Sequence, residues 1–134
     1  MNEGKVLIID DDPATLNLYS RALENAGFTV STSTQVIGTV PKINEFSPDV
    51  ILLDVMMPAL PGDKIVKILK QSVRSAPVII LLSNKNEDEL SRISKECGAD
   101  DFITKMSGPF SVIRKISEHM AKRKKQPAGV SVRI

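Results

Sequence analysis

The segment from Val50 to Pro58, VILLDVMMP, restricts the fold of this chain more than any other. Four branched apolar residues, Val50 to Leu53, stop at the carboxylate of Asp54. The run is too short for a surface helix and apolar on every side, so it reads as a strand buried on both faces. Such strands belong to parallel sheets covered by helices on each side. Pro58, Pro61 and Gly62 then turn the chain sharply. In open α/β sheets, ligands collect outside the carboxyl ends of the strands. Asp54 is therefore either a reactive group at that edge or merely the polar end of a strand.

The rest of the chain repeats this arrangement. Lys5 to Ile9 is a second apolar run, ending in Asp10, Asp11 and Asp12. Leu16, Tyr19, Leu23 and Ala26 follow at helical spacing, with Asp12 as N-cap, Pro13 at the first helical position and Gly27 as the stop. Phe28 to Thr32 is a short second strand. Between Gln35 and Phe46 the helical spacing is interrupted by Gly38 and Pro41, which predicts a short or kinked helix with Pro41 near its start. A third helix is expected over Gly62 to Ser72. Val78 to Leu82 forms another buried-type strand ending in Ser83. Asn86 caps a helix from Glu87 to Cys97, whose acidic first turn suits the helix dipole. Asp101 to Thr104 is a fifth strand ending at Lys105, and Ser107-Gly108-Pro109 then opens a last helix, expected from Phe110 to about Lys124. Strand and helix thus alternate five times, which implies a parallel sheet with helices on both faces, joined by right-handed crossovers.

The chain's 134 residues suit one domain with a real core. Residues 1–125 are read as that domain and 126–134 (QPAGVSVRI), which lack periodicity, as a tail or linker. Aromatics make up only 4%, so the core must be mainly Ile, Leu and Val. The single cysteine, Cys97, excludes an internal disulfide and a cysteine metal cluster, and reads as a buried small hydrophobe. The lone histidine, His119, reads as a surface residue on the last helix. No apolar run approaches the ~20 residues of a membrane span and no signal peptide is expected, so the expected location is cytoplasmic. Five of the 18 basic residues lie from Lys122 onward with no acid among them. The body keeps 13 bases against 16 acids. The basic run is read as a solvated helix end or linker, and nucleic acid is not an expected partner of this domain alone.

In a parallel sheet, the residues that close strands one, three, four and five share one edge. They are Asp10 with Asp11 and Asp12, then Asp54, Ser83 and Lys105. Carboxylates gathered there would repel. A divalent cation such as Mg²⁺, which takes carboxylate and carbonyl oxygens, removes that penalty, and so does the Lys105 ammonium. A Mg²⁺ site with a lysine and a hydroxyl is equipment for holding a phosphoryl group. Neither GxxxxGK[ST] nor GxGxxG is present, so the phosphoryl group is better attached to a carboxylate than carried on a bound nucleotide. Asp54, alone on its strand end, is the natural nucleophile.

The same residues resemble the receiver domain of two-component response regulators over about residues 4 to 122. The resemblance rests on the acid pair Asp10-Asp11, on Asp54 within DVMMPALPG, on Ser83, and on Lys105, 22 positions after Ser83. It implies a flavodoxin-like sheet of order 2-1-3-4-5. It implies that Asp54 is phosphorylated by a sensor histidine kinase or histidine phosphotransfer protein, with self-phosphorylation and self-dephosphorylation as the only catalysis. Asp11, Asp54 and the Met56 carbonyl would bind Mg²⁺ directly, and Asp10 through water. Lys105 would contact the phosphoryl oxygens. Ser83 would turn inward to the phosphate, Phe102 would move with it, and the face of the fourth helix, fifth strand and fifth helix would change. An output domain, a downstream protein or a phosphorylation-dependent dimer would read that face.

The chain departs from the family where Met106 follows Lys105 in place of proline. A cis bond there would cost ~2.5–4 kcal/mol, which favours trans. Asn84 stands where a small residue is usual, and Leu82 competes with Ser83 for the switch position. Met56 and Lys85 occupy positions that influence phosphoryl lifetime in the family. Two alternatives are a Mg²⁺-dependent aspartyl phosphatase of haloacid-dehalogenase type, using Asp10 to Asp12, and a degenerate receiver that only docks. The first lacks the further acid pair after its lysine, since Asp100-Asp101 precedes Lys105. The second is at odds with the intact acid, serine and lysine set.

Overall fold

The computed structural model describes residues 4–55 and 62–125. Met56 and the expected tail, 126–134, lie outside them. Five strands alternate with five helices: β1 (Lys5–Ile9), α1 (Pro13–Asn25), β2 (Thr29–Ser33), α2 (Val40–Phe46), β3 (Val50–Asp54), α3 (Gly62–Ser72), β4 (Val78–Ser83), α4 (Glu87–Cys97), β5 (Asp101–Thr104) and α5 (Gly108–Lys125). All strand pairs are parallel, in the order β2-β1-β3-β4-β5. Ile8, Leu52 and Ile80 stand side by side across the three central strands.

Side chains alternate between two cores. Val6, Ile8, Val50, Leu52 and Leu82 face α1 and α5, where they meet Leu23, Val112 and Ile116. Leu7, Ile9, Ile51, Leu53 and Leu81 face the other layer and meet Ile43, Ile65 and Leu69 from α2 and α3. β3 is buried along its whole length, because it lies in mid-sheet with helices over both faces. Full burial of each Leu or Ile contributes ~1.5–3 kcal/mol, so the central strands fix the register firmly.

The helix signals act as expected. Asp12 accepts the Ala14 N–H at 3.1 Å and the Thr15 hydroxyl at 2.9 Å, with Pro13 at the first helical position. Asn86 accepts the Glu89 N–H at 2.9 Å, and Gly98 ends α4 in the left-handed region at φ 80°. α2 is short, and Pro41 falls in its first turn. The last helix begins at Gly108, within the expected Ser107-Gly108-Pro109 opening, directly after one turn of 3-10 helix, Lys105–Ser107, which the Gly108 N–H closes on the Lys105 carbonyl. Three expectations need correction. Cys97 is only half-buried, since it sits in the last turn of α4 beside the loop into β5. His119 is no free surface residue: its side chain is 16% exposed and Nε2 lies 2.8 Å from Asp101. Arg123 also leaves the basic run, donating to the carbonyls of Ala76 at 2.8 Å and Ser75 at 3.3 Å. No described helix is long and apolar enough to cross a membrane.

Candidate phosphoacceptor site

Parallel strands bring their last residues to one edge, and β1 and β3 are neighbours. Asp10 follows β1 and Asp54 closes β3. Both continue the alternation of Ile8 and Leu52, toward the α1 and α5 side. Asp10 is 1% exposed and Asp54 4%, while Asp11 is open to solvent. One carboxylate oxygen from each of Asp10, Asp11 and Asp54 lies within 4.8 Å of the others. Buried carboxylates this close need a cation.

Lys105 supplies one. Its Nζ donates to Asp10 at 2.9 Å and lies 3.9 Å from Asp54. Burial pulls the lysine's pKa down, but the hydrogen bond to Asp10 and the charges of Asp54 and Asp10 outweigh it and hold the amine above its ordinary value. Asp10 also accepts the Asp12 N–H at 2.9 Å, which folds the acid loop over the strand end. The cap role of Asp12 lowers its pKa, mainly through the Thr15 hydroxyl. No cis peptide occurs among the described residues, so the bond before Met106 is trans. The trans chain still delivers Lys105 to the acids.

Ser83 and Phe102 have contacts of their own. Ser83 is fully buried and pairs in register with Thr104 of β5, while Leu82 is the register partner of Asp54. The Ser83 hydroxyl oxygen accepts the Lys85 N–H at 3.2 Å, a local turn contact. Leu82 packs into the α1 and α5 core. Phe102 is half-buried against the opposite core, with the Lys115 ammonium 5.7 Å from its ring centre. It borders a cleft of about 480 Å³ between α4 and α5, lined also by Glu87, Thr104, Ser111 and Arg114. Lys85 pairs with Glu89 at 3.3 Å on α4.

Two residues near the site carry little sequence signal. Tyr19 reads as core and is 3% exposed, yet its hydroxyl feels the charges of Lys105 and Asp10; burial is the main cause of its raised pKa. Thr104 is 8% exposed and its hydroxyl accepts the Met106 N–H at 3.2 Å. Only its place before Lys105 could have singled it out.

Asp100 and Asp101 lie at the start of β5, the opposite edge of the sheet. Asp100 binds Lys70 and the Ile79 N–H, and Asp101 binds Lys115 and His119. They cannot complete a phosphatase site around Asp10 or Asp54.

A model of the response regulator receiver domain family matches residues 6–117. The chain is 35% identical over 108 residues to the alkaline phosphatase synthesis transcriptional regulatory protein PhoP of Bacillus subtilis, covering 81% of this chain and 45% of that protein. It is 32% identical over 118 residues to the phosphate regulon transcriptional regulatory protein PhoB of Escherichia coli, covering 87% and 51%. The chain thus spans about half the length of these relatives. Among solved structures, a CheY-like receiver domain protein of Methanospirillum hungatei superposes with a TM-score of 0.81 at 25% identity, covering 94% of this chain and all of that one. The chemotaxis response regulator CheY4 of Vibrio cholerae gives 0.76 at 27%, covering 88% and 99%. With its 2-1-3-4-5 sheet and its acid cluster at the strand ends, this chain belongs to the response regulator receiver domain family, the signalling switches of two-component systems.

Proposed function

We propose that Asp54 is the phosphoacceptor of this switch. The observation that carries the reading is the compensated acid cluster: Asp54 lies beside Asp10 and Asp11, with the Lys105 ammonium 3.9 Å away. An oxygen of Asp54 forms the new P–O bond. The donor's bond to phosphorus breaks, and the leaving group keeps the electron pair. From a histidine kinase or phosphotransfer protein the broken bond is P–N; from acetyl phosphate it is P–O.

The three carboxylates fit a Mg²⁺ ion, as a close set of hard oxygen donors. Asp11 and Asp54 would hold it directly and Asp10 through water, joined by the Met56 carbonyl, a residue outside the described ones. The ion would supply positive charge for the incoming phosphoryl oxygens. Lys105 already leans on Asp10 and needs only a short swing of its stem to meet a phosphoryl oxygen on Asp54. Ser83, whose oxygen accepts the Lys85 N–H, would turn its O–H donor to the phosphate, and Phe102 would move beside the cleft it borders. The surface of α4, β5 and α5 would then change for an output domain, a downstream protein or a second copy to read. Residues 1–125 form the receiver, and residues 126–134 are a tail or linker. Self-phosphorylation, self-dephosphorylation and a cytoplasmic location belong to the same reading.

Incubation with acetyl phosphate and Mg²⁺, read by intact mass, tests it. A single phosphoryl adduct is expected, absent in Asp54→Asn and without added Mg²⁺. Turnover of phosphomonoesters that survives Asp54→Asn but not Asp10→Asn would overturn the assignment in favour of a phosphatase.

A further inference from the structure

The Lys105–Met106 peptide is gripped on both sides. Its N–H is accepted by the Thr104 hydroxyl oxygen at 3.2 Å, and its carbonyl accepts the Gly108 N–H. Holding one peptide plane at both ends sets the backbone torsion of Lys105 and therefore the direction in which its side chain leaves β5. A single 3-10 turn has poor hydrogen-bond geometry of its own, so the side-chain contact from Thr104 matters more here than a cap on a long helix. Gly108 can close the turn because it sits at φ 82°, a conformation that side chains disfavour. Thr104 is itself anchored: it is 8% exposed and pairs in register with Ser83 at the end of the sheet. From this turn the four-carbon stem of Lys105 reaches Asp10 at 2.9 Å, with the side chain only 15% exposed.

We propose that Thr104 is a positioning residue for phosphoryl transfer: by accepting the Met106 N–H, its hydroxyl fixes the turn that aims Lys105 at the acid cluster. The proposal rests on the reading of Asp54 as phosphoacceptor and adds a residue that touches neither phosphate nor metal. Charge stabilisation works only when the cation is already in place as charge develops. A displacement of ~1 Å can cost ~100-fold in rate. Loss of one of two grips allows a smaller displacement, and about a tenfold fall is expected. Mg²⁺ affinity should hold, because none of the carboxylates is on this turn.

The test uses the full chain with acetyl phosphate, measuring the maximal rate of Asp54 modification, the half-saturating donor concentration, Mg²⁺ affinity and the melting temperature. Thr104→Val keeps the shape and removes the acceptor. It should lower the maximal rate about tenfold, with donor half-saturation and Mg²⁺ affinity within about twofold of wild type. Thr104→Ser restores the acceptor and should recover the rate. Gly108→Ala strains the other grip without a clash, since a Cβ there meets nothing within 4 Å, and should slow the reaction similarly. It provides the same test if Thr104→Val fails to fold. Wild-type rates in Thr104→Val, or in Gly108→Ala should it stand in, overturn the proposal. So does a Thr104→Ser as slow as the valine variant, or a parallel loss of Mg²⁺ affinity. An unmodified wild-type chain overturns the phosphoacceptor reading itself, a distinct result.

Discussion

Replacing Lys105 by methionine keeps most of the stem and deletes the ammonium that lies 2.9 Å from Asp10 and 3.9 Å from Asp54. At an effective dielectric near 20, a unit charge at those distances attracts the two carboxylates by ~6 and ~4 kcal/mol. Much of this is offset by the cost of taking the charges out of water, since Asp10 and Asp54 are almost fully buried. Breaking such a pair from one side typically costs ~3–5 kcal/mol, because the remaining charge stays buried without compensation. Asp54 lies beyond hydrogen-bonding distance of the lysine, so the lower end, ~3 kcal/mol, is expected near neutral pH without Mg²⁺. The sign with pH follows from the raised pKa of Lys105. Its contribution is complete below the unfolded lysine value of ~10.4 and is lost as pH rises through the higher folded value. Urea unfolding of wild type, Lys105→Met, Asp10→Asn and the double variant measures the effect. Removing the carboxylate along with its partner should recover much of the loss, giving a coupling energy of ~2 kcal/mol. Saturating Mg²⁺ should also narrow the gap, because an ion that binds only the folded chain should bind the variant's uncompensated carboxylates more tightly than those already paired with Lys105. A Lys105→Met chain as stable as wild type without Mg²⁺, or a coupling energy near zero, refutes the argument.

Three further outcomes are expected. Asn86→Ala removes the acceptor of the Glu89 N–H and should cost ~1 kcal/mol in urea unfolding; an unchanged midpoint counts against the cap. Tyr19→Phe deletes a buried hydroxyl that has no hydrogen-bond partner among the described residues. It should leave stability unchanged or raise it by up to ~1 kcal/mol, and a loss larger than that refutes the description. Asp101 feels burial most, which raises its pKa, but hydrogen bonds from His119, the Phe102 N–H and Lys115 together bring it below the ordinary value. Its stabilising contribution is therefore present above about pH 4 and lost as pH falls through the lower folded value. The stability difference from Asp101→Asn, measured by urea unfolding at a series of pH values, should shrink across that acid range and stay flat just above it.

Why strand ends were legible and side-chain partners were not follows from what each depends on. Val50 to Leu53 and Val78 to Leu82 are apolar on both faces, which in a chain of this alternation admits little but a central parallel strand. Parallelism alone then puts Asp10, Asp54, Ser83 and Lys105 on one edge, with no knowledge of torsions. The caps at Asp12 and Asn86 are equally local, so α1 and α4 began where they were expected. The choice that Lys105 makes between two carboxylates is of another kind. It depends on a peptide plane held by Thr104 and Gly108, which no spacing of residue types encodes. His119 repeats the lesson: its partner Asp101 lies 18 positions away on β5, and the pair exists only because α5 crosses that strand. Ser83 marks the boundary between the two kinds of information. Its place at the edge follows from topology, yet its hydroxyl is turned to Lys85. That oxygen accepts the N–H of a residue two positions on, a turn set by local torsions that strand order does not dictate.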